Sequence, residues 1–163
     1  AVQLPETRLS RALDPWIEVA PAAIAEVGSF LKSDPDLAFD SLNNLTAVDY
    51  LETDAKLAAK FPYQPHIEVV YHLYSTRANR RVRIKARVAE AAPEIASATA
   101  LYASADWMER EVFDLFGVTF EGHPDLSRIL MPEDWDGHPL RKDHAMGRIP
   151  VQFKAADRQD AGG

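Results

Sequence analysis

The chain of 163 residues contains no cysteine. Disulfides, thiolate nucleophiles and iron–sulfur clusters ligated by these residues are therefore excluded, because each of them needs cysteine sulfur. Long apolar runs are also lacking, since the best candidate, residues 19–31, is too short for a membrane span and includes Glu26. We therefore expect neither a membrane-spanning segment nor a cluster-binding site in this sequence.

Positive charge is scarce, with 18 lysines and arginines against 25 acidic residues and a net charge of −7. This balance argues against a nucleic-acid binder, which works by neutralising phosphates. Six of the basic residues lie close together: Arg77, Arg80, Arg81, Arg83, Lys85 and Arg87. Because they lack interleaved aromatic residues, we interpret them as a solvated face or as a contact with an acidic partner.

Glycine-rich phosphate loops are absent as well. Neither G-x-G-x-x-G nor G-x-x-x-x-G-K-[ST] occurs, and no G-x-S-x-G motif marks a nucleophile elbow. The candidate metal ligands are His123, His138 and His144 with Asp125, Asp134, Asp136 and Asp143. These histidines lack the H-E-x-x-H spacing and stand beside proline and glycine, where turn hydrogen bonds are the commoner use. A metal-dependent hydrolase that uses His123 and His138 remains the alternative from another functional class.

The length and the apolar fraction of 47% predict one folded domain with a hydrophobic core. Periodicity predicts helices over residues 21–32, 89–102 and 106–116, a helical turn over 56–60, and strands over 45–50, 66–75 and 80–88. The last two strands should form an antiparallel hairpin. The fold class is therefore α+β, a small sheet with helices packed on one face and a long extended C-terminal arm. We assign residues 1–120 to the α+β domain and residues 121–163 to the arm.

The helix over residues 106–116 is the strongest in the sequence. Asp106 is placed to act as its N-cap, with Glu109 completing a capping box, and Gly117 fits the left-handed position after its end. A rotation of about 100° per residue puts five apolar residues on one arc: Met108, Val112, Phe113, Leu115 and Phe116. We interpret this arc as core.

The opposite arc of the same helix holds Trp107, Arg110, Glu111 and Asp114. Local physics explains it poorly, because Glu111 and Asp114 repel each other and Asp114 lies where the helix dipole disfavours negative charge. A pair between Arg110 and Asp114 has the weaker order, cation first. The arc therefore predicts a contact with basic residues of the chain's own tail, such as Arg128 or Arg141, or with another chain. A solvated charged face is the plain alternative.

The tail after Gly117 lacks periodicity yet carries large apolar residues: Phe120, Leu126, Ile129, Leu130, Met131, Trp135 and Leu140. An irregular segment of this length is uncommon in a compact domain unless it is functional or disordered, and the apolar content disfavours disorder. We predict that the tail docks on a partner, with packing against its own sheet as the alternative.

Residues 106–143 resemble the signature of the C subunit of NADH-quinone oxidoreductase (respiratory complex I), in a family that includes the plastid and cyanobacterial J-type subunits. The motifs are E-R-E-x-x-D-x-x-G-x-x-F, then H-P-x-L-x-R-I-L, then D-W-x-G-x-P-L-R-K-D. The resemblance extends over roughly residues 39–143. The signature residues, which we expect to contact partners, are Trp107, Glu109, Arg110, Glu111, Asp114, Gly117, His123, Leu126, Arg128, Asp134, Trp135, Pro139, Leu140, Arg141, Lys142 and Asp143.

The resemblance implies a non-catalytic, membrane-associated peripheral subunit of a proton-pumping NADH-quinone oxidoreductase, an electron-transport translocase, on the cytoplasmic side of a bacterial plasma membrane. It implies the D, B and I subunits as neighbours near the quinone-reduction site. Flavin, iron–sulfur clusters and quinone are expected on other subunits, with no catalytic, cofactor-binding or metal-binding residue in this chain. The equivalent subunit of a ferredoxin-fed quinone oxidoreductase or of a membrane-bound hydrogenase remains an alternative, because nothing in this chain names the electron donor.

Overall fold

The computed structural model describes residues 16–52, 55–60 and 64–144. In chain order the elements are β1 Trp16–Glu18, α1 Ile24–Ser33, β2 Ser41–Asp49, α2 Ala55–Lys60, β3 His66–Ser75, β4 Arg80–Ala89, β5 Glu94–Ala96, α3 Ala105–Phe116 and β6 Thr119–Glu121. A 3-10 turn at Pro21–Ala23 leads into α1, and proline suits that first turn because its missing amide hydrogen has no helical partner there.

The main sheet has four strands in the order β1-β4-β3-β2. Strands β3 and β4 form the predicted antiparallel hairpin, in register from His66 opposite Ala89 to Ser75 opposite Arg80. The short strand β1, which the sequence pattern did not predict, lies parallel to the outer edge of β4. Strands β5 and β6 form a separate parallel pair.

Alternating side chains in β4 decide which face of the sheet is buried. Ile84, Ala86 and Val88 are buried, and they belong to one hydrophobic core with residues of α1, α3, β2 and β3. On the opposite face, Lys85 pairs with Glu68 at 2.5 Å and Arg87 pairs with Glu18 at 3.1 Å. Helices on one face of a small sheet confirm the α+β class.

Helix α1 packs closely against the segment that precedes α3. Four apolar residues fall at helical spacing in this segment; Ile24, Val27 and Leu31 are buried, whereas Phe30 is exposed. Gly28 allows the close approach, because a Cβ atom at this position would lie 2.9 Å from Leu101 Cδ1. In the described part of the chain, no helix is long and apolar enough to cross a membrane.

The prediction of a helix over residues 89–102 is wrong. The segment instead contains β5, which pairs with β6 from Glu94 opposite Thr119 to Ala96 opposite Glu121. Backbone hydrogen bonds continue on both sides of this pair, from the Thr119 amide to the Pro93 carbonyl and from the Ser97 amide to the Glu121 carbonyl. The alanine-rich composition favours a helix locally, but pairing with a distant strand overrides that preference.

Two element boundaries also differ from the prediction. Strand β2 begins at Ser41, four residues before the predicted start at residue 45. Helix α3 begins at Ala105 after an N-cap at Ser104, and no side chain caps it. The predicted capping box of Asp106 and Glu109 is therefore wrong, because Asp106 lies inside the first turn. Residues 145–163 of the predicted arm lie outside the described residues, and the domain boundary at residue 120 stays a prediction.

Two buried tyrosines provide a matched test of the packing. The Tyr102 hydroxyl donates to the Phe39 carbonyl at 2.8 Å, whereas the buried Tyr71 hydroxyl has no hydrogen-bond partner in the described structure. We expect Tyr102→Phe to lower the free energy of unfolding by about 1 kcal/mol, and Tyr71→Phe to leave it unchanged or raise it by up to about 1 kcal/mol. Urea unfolding of both variants measures this, and equal losses would contradict the assignment of Tyr71.

Candidate docking site around the third helix

The central residue of the site, Asp114, lies on the side of α3 that faces away from the sheet. The buried core residues of α3 include Val112 and Phe116, and at about 100° per residue Asp114 falls on the opposite arc. Its side chain is nevertheless fully buried, with 0% of its surface exposed. Only the tail after Gly117 lies within hydrogen-bond distance of the Asp114 carboxylate in the contacts that the structure describes.

The tail wraps a nest of backbone amides around this carboxylate. Asp114 Oδ2 accepts hydrogen bonds from the amides of Ile129, Leu130 and Met131 at 3.1, 2.7 and 2.9 Å. Asp114 Oδ1 accepts from Arg128 Nη1 at 2.7 Å. Consecutive amides that converge on one oxygen form an anion-binding nest, which here holds the helix's own carboxylate. We call these five residues the Asp114 hub.

The hub changes the ionisation of Asp114. Burial alone would raise the pKa of this carboxyl, but the hydrogen bonds from Met131, Leu130, Arg128 and Ile129 outweigh it and hold the pKa below its usual value. A lowered pKa means that Asp114 stabilises the fold above about pH 4, and this contribution is lost as the pH falls through the lowered pKa. The unfavourable position near the helix C-terminus is thus compensated by the amides of the tail.

Arg128 connects the hub to the next part of the tail. Its Nη2 donates to the carbonyls of Trp135 and Gly137 at 3.3 and 3.1 Å, while Nη1 binds Asp114. One guanidinium therefore joins three segments, because its donors point in fixed, divergent directions. Among the basic partners that the sequence suggested for Asp114, the structure selects Arg128, whereas Arg110 binds the carbonyl and hydroxyl of Ser127.

The tail also caps the C-terminus of α3. Gly117 has a φ of +76°, the left-handed conformation predicted for it, and its amide binds the Phe113 carbonyl. His138 Nδ1 donates to the Asp114 carbonyl at 3.0 Å, and the Leu140 amide donates to the Leu115 carbonyl at 3.0 Å. A Cβ atom at Gly117 would lie 2.5 Å from the His138 ring, so glycine is required here for space as well as for conformation.

Two further carboxylates hold the end of the described tail. The Lys142 amide donates to Asp49 Oδ2 at 2.8 Å, and Asp49 is itself buried at the end of β2. Arg141 donates to the Glu90 carboxylate at 3.4 Å and to the Glu90 carbonyl at 3.3 Å, and within the tail it pairs with Asp143 at 3.2 Å. The tail up to His144 therefore packs back on the chain, as the alternative had it, but mainly on α3 and at the end of β2 instead of across the sheet.

Glu109 occupies a second buried polar cluster, on the core side of α3. Its Oε1 accepts from the Ala98 amide and its Oε2 from the Ser97 hydroxyl, both at 2.6 Å. His123 lies beside it: Nδ1 accepts from the Asp125 amide, so Nε2 carries the ring proton and donates to the Asp106 carbonyl at 3.2 Å. The cluster fixes the segment before α3 to the tail that follows it.

Burial dominates the ionisation of Glu109. It raises the pKa of this carboxyl, although the hydrogen bonds from Ser97 and Ala98 and the neighbouring His123 act in the opposite direction. Glu109 and Asp114 thus differ in their environments, since the pKa of Glu109 is raised and that of Asp114 is lowered. The sequence indicated neither this difference nor the partners Ser97, Asp49 and Glu90.

The outer side of this assembly remains accessible. Trp107 is 64% exposed, and the Arg110 guanidinium lies over one face of its ring, 4.9 Å from the centroid. Leu130, Trp135 and Leu140 are exposed as well, as are Glu111 and Asp134. Leu126 and Pro139 are partly buried, and Leu126 packs against the core. The signature residues therefore divide into those that hold the tail and those whose side chains are exposed.

The histidines considered as metal ligands have other contacts. His123 and His138 bind backbone groups, and His144 lies beside Trp135, with 6.4 Å between ring centroids. No group of three histidine, aspartate or glutamate side chains suited to a metal ion occurs within residues 16–52, 55–60 and 64–144. The geometry of these residues therefore offers the hydrolase alternative no support.

Comparison with known proteins adds independent information. Residues 17–149 match the model of the family described as respiratory-chain NADH dehydrogenase, 30 kDa subunit. The C subunit of the NADH-quinone oxidoreductase of Salinispora tropica is 43% identical over 141 residues, 86% of this chain and 54% of that protein. The corresponding protein of Trichlorobacter lovleyi is 51% identical over 141 residues, which make up 84% of this chain and 80% of that protein. The chain spans about half the length of its Salinispora relatives.

Two solved structures share the fold. The trypsin-resistant fragment of Nqo5 superposes with a TM-score of 0.61 at 29% identity, over 74% of this chain and 89% of the fragment. A chain of the membrane-bound sulfane sulfur reductase, an archaeal respiratory membrane complex, superposes with a TM-score of 0.70 at 25% identity, over 89% of this chain and 79% of that chain.

Removal of the hub carboxylate tests its contribution to stability. We expect Asp114→Ala to lower the free energy of unfolding by about 3–5 kcal/mol, because it leaves Arg128 and three amides without their acceptor. Glu111→Ala on the same helix is the matched control and should change it by less than about 0.5 kcal/mol, since Glu111 is exposed. Similar small losses in both variants, measured by urea unfolding, would show that the hub does not hold the tail.

Glu109→Gln tests the second buried carboxyl. Because the folded pKa of Glu109 is raised above the unfolded value of about 4.3, its stabilising contribution is present below that pH and is lost as the pH rises through the folded pKa. Glutamine does not titrate. The free energy of unfolding of the variant should therefore rise relative to the native chain as the pH increases above about 4.3. Urea unfolding at several pH values measures this difference, and parallel curves would contradict it.

Proposed function

Because the chain belongs to the family of the 30 kDa subunit of respiratory-chain NADH dehydrogenase, we propose that it is a structural subunit of an NADH-quinone oxidoreductase. Its proposed role is to join neighbouring subunits in the peripheral arm of the complex, close to where quinone is reduced. The proposed neighbours are the D, B and I subunits. Flavin, iron–sulfur clusters and quinone are then bound by those other subunits, and the complex as a whole oxidises NADH and moves protons.

One observation carries this proposal: the polar groups of the signature hold the backbone of the tail. The Asp114 carboxylate, the Arg128 guanidinium and the His138 ring all bind main-chain groups of the tail or of α3. These polar side chains are engaged in internal backbone contacts, whereas the apolar residues between them, such as Leu130 and Trp135, are exposed. A rigid surface with exposed apolar residues suits the binding of another protein.

A second candidate is the equivalent subunit of a related respiratory membrane complex. The chain of the archaeal sulfane sulfur reductase complex superposes on more of this chain than the Nqo5 fragment does, 89% against 74%. The same fold therefore occurs in complexes with different chemistry, and the donor site lies on other subunits in this proposal. The ferredoxin-fed oxidoreductase and the membrane-bound hydrogenase belong to the same class of alternative.

Purification of the complex tests the proposed function. The chain, tagged and expressed in its source organism, should co-purify in fixed ratio with the D, B and I subunits and with NADH-quinone reductase activity. Neighbours that lack an NADH-oxidising subunit would favour the second candidate. A chain recovered without any respiratory subunit, or with a bound metal that supports hydrolysis, would contradict both.

Footprinting of the exposed tryptophans tests the proposed contact surface. In the intact complex we expect Trp107 and Trp135 to be protected from hydroxyl radicals relative to the isolated chain, because a partner covers them. Exposed Phe30 on α1 is the internal control and should react equally in both samples. Amide exchange is less informative for residues 129–131, since the Asp114 hub already engages those amides. Equal reactivity of both tryptophans in the two samples would refute the contact.

A further inference from the structure

We propose that the outer side of α3 and the tail form a preformed docking face for a basic segment with apolar residues in a neighbouring subunit. This inference rests on the proposed function and adds the chemistry of the partner. The docking face consists of Trp107, Leu130, Trp135 and Leu140 with an acidic rim of Glu111, Glu133, Asp134 and Asp136.

Exposure of apolar side chains is concentrated at this face. Six large apolar side chains are exposed in the part of the chain that the structure describes, and four of them are Trp107, Leu130, Trp135 and Leu140. Single exposed apolar residues are ordinary on protein surfaces, but a group of large ones around one helix is typical of an interaction site. Tryptophan in particular is enriched among the residues that dominate binding energy.

Trp107 lies on α3, and backbone hydrogen bonds hold the other three residues to α3 or to Arg128. Trp107, Arg110 and Asp114 follow one another at helical spacing on the outer arc. The amide of Leu130 binds Asp114, the carbonyl of Trp135 accepts from Arg128, and the amide of Leu140 binds Leu115. Two turns of helix span about 11 Å, so the exposed residues fit within the footprint of one partner segment.

The charge around the face selects a basic partner. Residues 105–144 contain ten acidic and four basic residues. Of the basic ones, Arg128 is engaged in the hub and Arg141 pairs with Glu90 and Asp143. Arg110 binds Ser127 and stacks on Trp107, and Lys142 is exposed, so the acidic residues outnumber the available basic ones. The exposed rim of Glu111, Glu133, Asp134 and Asp136 has no such pairing in the described structure. A second copy of the chain would place like charges together, so a homodimer through this face is disfavoured.

Trp107 adds a specific site for a cation. Arg110 covers one face of the indole ring, yet 64% of the residue surface remains exposed. The other face of the ring can therefore receive a lysine or arginine of the partner, with a cation–π contact that is strongest for tryptophan. Exposed Glu111, on the same arc of α3, supplies the opposite charge for that cation.

The hub makes the face rigid before a partner arrives. Leu130 and Trp135 stand on backbone that is held by Asp114 and Arg128, without a helix or strand. Binding to a preformed surface avoids most of the entropy loss that a disordered tail would suffer on ordering. Docking should therefore depend on the exposed side chains and their charge, whereas the fold of the isolated chain should not depend on them.

Charge reversal in the intact complex tests the proposal. One variant carries Asp134→Lys and Asp136→Lys in the rim, and the matched control carries Glu26→Lys and Asp36→Lys, two exposed acidic residues outside the docking face. Both double variants change the net charge equally, and thermal melting should show that both fold like the native chain. Each variant is expressed with a tag in the source organism. The amount of the D subunit that co-purifies is then measured at about 50 and about 300 mM salt, a range over which the screening of surface charges increases.

The rim variant should recover on the order of tenfold less complex than the control at low salt, because like charges now face each other. The native chain and the control should lose complex as salt increases, whereas the rim variant should be less sensitive to salt. A photoreactive residue in place of Trp107 should crosslink to a peptide that contains lysine or arginine beside apolar residues.

Equal recovery of the rim variant and the control, or a crosslink to an acidic peptide or to a second copy of this chain, would overturn the docking proposal. In that case the native chain still co-purifies with the complex, and the proposed function stands. Failure of the native chain and the control to recover any respiratory subunit would overturn the proposed function, and the docking proposal with it.

Discussion

The carboxylate of Asp114 holds the C-terminal tail against the rest of the fold. It lies on the side of α3 that would otherwise face water, and it accepts three consecutive tail amides and the Arg128 guanidinium. An irregular segment has no ladder of its own for these amides, so the carboxylate substitutes for secondary structure. Its burial would be unfavourable without these donors, and the tail would lose its position without the carboxylate.

Helix α3 holds two flanking segments through two carboxyls whose pKa values are shifted in opposite directions. Glu109 faces inward and joins residues 97–98, with burial favouring its neutral form. Asp114 faces outward and binds the tail as an anion. The C-terminal carbonyls of the helix are satisfied by His138 and the Leu140 amide, and Lys142 reaches Asp49 at the end of β2. One helix thereby organises both of its flanking segments.

This arrangement relates the fold to the proposed structural role. The sheet and the inner side of α3 form the core, which leaves the outer side of α3 and the tail free to differ from it in chemistry. The polar signature residues Asp114 and Arg128 bind backbone groups of the tail, and apolar residues such as Trp135 remain exposed. Rigid apolar surface with acidic surroundings is suited to permanent assembly with another protein, which agrees with membership of a family of respiratory-chain subunits.

Local patterns in the chain were enough to predict the hairpin of β3 and β4, helix α3 and its end at Gly117, because periodicity and left-handed glycine act within a few residues. The motifs also identified the family. Residues 94–96, by contrast, form a strand because their hydrogen bonds go to β6, which no local pattern reveals. Glu109 likewise binds Ser97 instead of forming the expected capping box. For Asp114 the sequence offered Arg128 and Arg141 as candidate partners, and only the folded chain decides for Arg128. A buried carboxyl binds whichever donors the chain path brings near, and that path is a property of the whole fold.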